Sequence, residues 1–71
     1  MKYAVNIARE FGENTLKTLF INSYDDREEY ARATLSLASA LEKAGLEVDV
    51  NVIEREDEWT IAHIIFRGID K

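Results

Sequence analysis

Only one stretch of this chain carries a helical period, and that limits every fold it can adopt. Tyr30, Ala33, Leu37, Leu41 and Ala44 recur three and four residues apart, while Glu28, Arg32, Ser36, Ser39 and Lys43 fall on the opposite side. One helix covers one face of one sheet, so any further apolar surface has to find its cover elsewhere. The helix is expected to begin near Asp25 or Asp26, whose carboxylates can accept from free backbone N–H groups. Glu28 and Glu29 complement the positive end of the helix dipole, and Gly45 is the expected left-handed stop.

The remaining segments read as strands. Tyr3, Val5 and Ile7 alternate with Ala4, Asn6 and Ala8, the period of a half-buried strand. Leu16 to Tyr24 is rich in β-branched and aromatic residues, and Phe11-Gly12-Glu13-Asn14 supplies a turn, so the first two strands form an antiparallel hairpin. Leu46, Val48, Val50 and Val52 alternate with Glu47, Asp49 and Asn51 in a third strand. Glu54 to Glu58 reads as a hairpin tip and Trp59 to Phe66 as a fourth strand.

The order ββαββ predicts a single α+β domain, a two-layer sandwich with one helix packed on a four-stranded, mainly antiparallel sheet. A right-handed crossover that skips one strand gives the sheet order 2-1-3-4, which is the favoured arrangement; direct pairing of the second and third strands gives the alternative, 1-2-3-4. A chain of 71 residues supports one hydrophobic core and no second domain. Its 46% hydrophobic and 32% charged residues are globular proportions. With no cysteine, neither disulfides nor thiolate-bound metal can supplement that core.

Composition also narrows the partners. A formal net charge of −5 argues against a general attraction to nucleic-acid phosphates. No apolar run is long enough to span a membrane, and the opening MKYAVNIARE is broken by Asn6 and Arg9, so it lacks a signal-peptide core; the expected location is cytoplasmic.

Two surfaces stand out. The second and fourth strands are apolar on both sides, with Leu19 and Ile21 opposite Leu16 and Phe20, and Trp59, Ile61 and Ile65 opposite Ala62, Ile64 and Phe66. One helix cannot cover both sides, and an open apolar face of some size marks a contact surface. The expected interface comprises Leu19, Ile21, Trp59, Ile61, His63 and Ile65, together with Leu35 on the polar side of the helix. The second surface is an acidic pole: the strand directions bring Asp25, Asp26, Glu28 and Glu29 to the same end as Glu54, Glu56, Asp57 and Glu58. Acids at a helix start and charges at a hairpin tip also have local explanations, as dipole complements and as guards of solubility.

Catalytic chemistry finds no footing. His63 is the single histidine, set among Ile61, Ala62, Ile64 and Ile65 on a strand, with no nucleophile or orienting acid specified beside it. Gly12, Gly45 and Gly68 are isolated, so no glycine-rich loop can cradle a phosphate. The acids do not follow the spacing of a calcium loop, and no cofactor is indicated. Tyr3, Phe20 and Trp59 could stack on bases, but they lie on strands with few cations.

The sequence therefore points to a small acidic, non-enzymatic protein-interaction module, a homodimer or the partner of another protein, working through an open sheet face. Two other readings fit the same residues. The absence of proline and cysteine and the short connections suit an engineered or de novo designed protein without a biological task, although the irregular Phe11 to Thr15 loop and the helix serines do not. The acidic pole suits a small inhibitor that mimics nucleic-acid phosphates towards a basic partner.

Overall fold

In the computed structural model, residues 2–12, 15–55 and 58–68 are described. Strand β1 (Lys2–Phe11) and strand β2 (Thr15–Tyr24) form a hairpin; helix α1 (Arg27–Lys43) follows; strands β3 (Glu47–Glu54) and β4 (Trp59–Arg67) complete the chain. The α+β, two-layer ββαββ expectation holds.

Both ends of the helix are built from local signals. Asp26 is the N-cap, its Oδ1 accepting from the Glu28 backbone N–H at 3.1 Å. At the far end Ala44 is the C-cap and is exposed, so it does not join the apolar stripe. The backbone N–H of Gly45, at φ +92°, donates to the Glu42 carbonyl, and that of Leu46 donates to the Leu41 carbonyl. This is a Schellman closure, and Leu41 and Leu46 both pack against the core, as that motif favours.

Sheet order is where the structure departs from expectation. The strands lie in the order β2-β1-β4-β3, neither 2-1-3-4 nor 1-2-3-4, and the central pair β1/β4 is parallel. The outer pairs, β1/β2 and β3/β4, are antiparallel. Burial demand explains the exchange of β3 and β4. A central strand is flanked on both edges, so its neighbours partly cover side chains on either face, which suits Trp59–Arg67 with its apolar residues on both sides. Strand β3 carries Glu47, Asp49 and Glu54 and tolerates an edge, where charge discourages stray pairing.

The core lies between the helix and the central pair. Tyr3, Val5 and Ile7 of β1 meet Ala62, Ile64 and Phe66 of β4 and Tyr30 of the helix, with Ala33, Leu37, Leu41, Leu46, Val48 and Tyr24 around them. Tyr3 and Tyr30 stack at 5.1 Å between ring centroids, tilted by 31°. Val5 and Ile64 are fully buried, so truncating either to alanine would cost about 2–5 kcal/mol, less for the smaller valine. The helix does not reach across the edges: Phe20 on β2 and Val50 and Val52 on β3 remain exposed.

Strand β2 contains one residue more than β1 can match. The pairing shifts between Ile7, opposite Phe20, and Ala8, opposite Thr18, leaving Leu19 as the extra residue of a β-bulge. Strict alternation puts Leu16 on the side of Phe20; the bulge transfers it to the opposite side.

Candidate functional site

The face of the sheet away from the helix is assembled from alternate residues of all four strands. Ala4, Asn6, Ala8 and Glu10 come from β1, and Trp59, Ile61, His63, Ile65 and Arg67 from β4. Register fixes their neighbours in rows that run from β2 to β3. The first row is Ser23, Ala4, Ile61 and Ile53, and the second is Ile21, Asn6, His63 and Asn51. The third is Thr18, Ala8, Ile65 and Asp49. The fourth is Leu16, Glu10, Arg67 and Glu47, its middle pair joined through an ion pair.

Each row has a chemical character. The first sets small Ser23 and Ala4 beside large Ile61 and Ile53, and it continues at its open end into Trp59, over whose ring the Lys2 ammonium sits at 5.5 Å. The second is polar in the middle: the Asn6 amide Nδ2 donates to His63 Nδ1 at 2.9 Å. Asn6 Oδ1 is buried without a hydrogen-bond partner. The fourth row is a charge network: Arg67 contacts Glu10 at 2.6 Å, Asp49 at 2.6 Å and Glu47 at 3.7 Å. The hydrogen bond that Arg67 donates to Asp49 and the charge of Glu10 raise the Arg67 pKa, which holds the guanidinium charged.

Small side chains in the centre make the face concave. Ala4 and Ala8 are buried on this face, with Ile61 and Ile65 standing beside them. Two shallow hollows result, one lined by Ala4, Ile21, Ser23, Arg55, Trp59 and Ile61, the other by Glu10, Leu16, Asp49, Asn51, Ile65 and Arg67. Ile21 is 68% exposed, Leu16 56% and Ile53 45%. These are large apolar residues on one face of the sheet, and no residue of the described chain covers them.

Of the residues expected at an interface, Ile21, Trp59, Ile61, His63 and Ile65 share this face. Leu19 is the bulge residue and is 53% exposed at the edge. Leu35 is 71% exposed on the helix, separated from the others by the thickness of the sheet. Leu16 and Ile53 belong to the surface and were not among the expected residues. Ile53 could have been found from its odd spacing with Asn51 and Asp49; Leu16 could not, because the bulge has no signature in the sequence.

The acidic end is mixed in sign. Asp25, Asp26, Glu28 and Glu29 lie at the helix start, and Glu54 and Glu58 line a hollow there with Arg27, Arg55, Tyr30 and Tyr3; Glu56 and Asp57 lie outside the described residues. Burial raises the Tyr30 phenol above its ordinary pKa, Arg27 opposes that shift, and Glu54 and Tyr3 add to it. Among the described residues no three histidine, aspartate or glutamate side chains converge to hold a metal ion, and no helix is long and apolar enough to cross a membrane.

The chain matches no known family model, no curated protein and no solved structure.

Proposed function

We propose that this chain is a small, non-enzymatic protein-interaction module that associates with a second copy of itself through the open face of its sheet. One observation carries the reading: on the face opposite helix α1, Ile21, Trp59 and Ile61 line one hollow with Ile53 beside Ile61, and Leu16 and Ile65 line a second beyond the Asn6–His63 strip. Exposed apolar residues clustered over several strands mark a contact site, whereas isolated exposed residues are ordinary.

Charge favours a like partner over a basic one. Lys2 and Arg67 stand on this face against Glu10, Glu47 and Asp49, close to balance, so two such faces meet without the repulsion that a net charge of −5 otherwise imposes. Sedimentation across a wide concentration range tests the reading. The unmodified chain is expected to form a dimer that Ile61→Lys dissociates, because a cation at this half-buried position would be trapped between two apolar surfaces. A chain that stays monomeric at every concentration would overturn it.

A further inference from the structure

Resting on that self-association, we infer its geometry: two copies pack face to face about a two-fold axis parallel to the central strands, so that β1 of one copy lies over β4 of the other. Packed sheets keep their strands roughly aligned and stand about 10 Å apart. Rotation about such an axis maps each row onto the same row of the second copy, reversed from edge to edge. Every residue on β2 then faces β3, and every residue on β1 faces β4.

The rows are complementary at the two central strands under this operation, while at the edges Ile21 faces Asn51 and Leu16 faces Glu47. In the first, Ala4 faces Ile61 and Ser23 faces Ile53, small against large in both directions. In the third, Ala8 faces Ile65 in the same manner. In the fourth, Glu10 of each copy faces Arg67 of the other, extending an ion pair already made within each chain at 2.6 Å. In the second, the amide of Asn6 faces the imidazole of His63, so the polar strip meets a polar strip.

The other aligned arrangement has its axis across the strands, and it fails the same comparison. It lays the first row over the fourth and sets Ile61 and Ile53 against Glu10, Arg67 and Glu47. Burying that charge network against aliphatic groups desolvates it without adding an opposite charge across the interface. At the central strands, size, charge and polarity select the axis along the strands.

The edges of the sheet distinguish the two arrangements experimentally. With the axis along the strands, Ile21 on β2 lies over Asn51 on β3 of the second copy. Two Ile21 residues are then displaced by three strand spacings of about 4.8 Å each as well as by the gap between sheets, about 17 Å in all. The chain has no cysteine, so Ile21→Cys and Asn51→Cys each introduce a single thiol. A short bismaleimide is expected to cross-link a mixture of the two variants and to leave either variant alone uncoupled.

Efficient coupling of Ile21→Cys with itself would overturn the inferred axis while leaving self-association through this face intact. Isotope-filtered contacts in a half-labelled mixture of the unmodified chain provide a second reading, expected between Ser23 and Ile53 and between Ala4 and Ile61 of different copies. A dimer by mass with no contact from these residues would move the interface off the face altogether. A monomer by mass would remove the proposed function as well.

Discussion

Asn6 and His63 stand side by side across the central parallel strands, the Asn6 amide donating to Nδ1 at 2.9 Å, while Asn6 Oδ1 is buried with no partner. One hydrogen bond contributes about 1 kcal/mol, and an unsatisfied buried carbonyl costs about 1–3 kcal/mol, so the two effects nearly cancel. Replacing Asn6 with valine removes both. The free energy of unfolding, measured by urea denaturation at dilutions where the chain is monomeric, is expected to change by less than about 1 kcal/mol or to rise. A loss above about 2 kcal/mol would show that the amide has a second stabilising contact.

Gly45 closes the helix at φ +92°, and a Cβ placed there meets nothing within 4 Å. Any penalty for Gly45→Ala is therefore conformational. Left-handed backbone costs an L-residue about 1–2 kcal/mol, and the stiffer unfolded chain returns about 0.5–1 kcal/mol of it, giving an expected net loss of about 1 kcal/mol. Thermal unfolding of the variant would read this as a lower midpoint with an unchanged fold by circular dichroism.

Glu58 presents the converse case. It holds φ +72°, fixed by a bond from its N–H to the Arg55 carbonyl at 3.1 Å and by one from the Lys2 N–H to its own carbonyl at 3.0 Å. The change Glu58→Gly relieves that strain, and a gain of about 0.5–1 kcal/mol is expected by denaturant titration. A loss of stability would mean that the carboxylate, not the backbone, matters at this position.

Tyr30 makes stability depend on alkaline pH. Burial first, then the nearby Glu54 and Tyr3, raise its folded-state pKa above the ordinary 10.0, with Arg27 partly opposing. A raised folded pKa means that the folded chain holds its proton where the unfolded chain has lost it. The associated stability is complete below about pH 10 and is lost as pH climbs through the raised value. Melting midpoints followed from about pH 9 to pH 11 should therefore fall more steeply for the unmodified chain than for Tyr30→Phe. Parallel curves would exclude Tyr30 as the source.

The elements legible in the sequence are those whose signals are local. The helix follows from its stripe, from Asp26 and from Gly45; the strands follow from alternation. Strand order is not local. It depends on which strand most needs cover, and the decisive contrast is between Ile61 to Phe66, apolar on both sides, and Glu47, Asp49 and Asn51, which favour an edge. Economy of connection pointed to β3 at the centre, and burial placed β4 there.

The open face was legible in outline for the same reason. One helix cannot cover two apolar faces, and Ile21, Trp59, Ile61 and Ile65 keep the side that alternation assigns. Leu16 does not, because a register shift at Leu19 exchanges every side chain beyond it, and such a shift is decided by pairing rather than by residue type. Leu35 was visible as an apolar residue out of pattern, but its distance from the sheet face is a property of the assembled layers.

The parallel pairing of β1 with β4 joins residues 2–9 to residues 59–66, the first strand to the last. Neither hairpin then possesses a core of its own: Tyr3, Val5 and Ile7 come from one, Ala62, Ile64 and Phe66 from the other. The entropy of closing so long a loop must be met before the contacts that compensate it exist, which slows folding more than it weakens the folded state. Order along this chain is therefore all or none, and a ribosome would have to deliver β4 before β1 could settle into its final place.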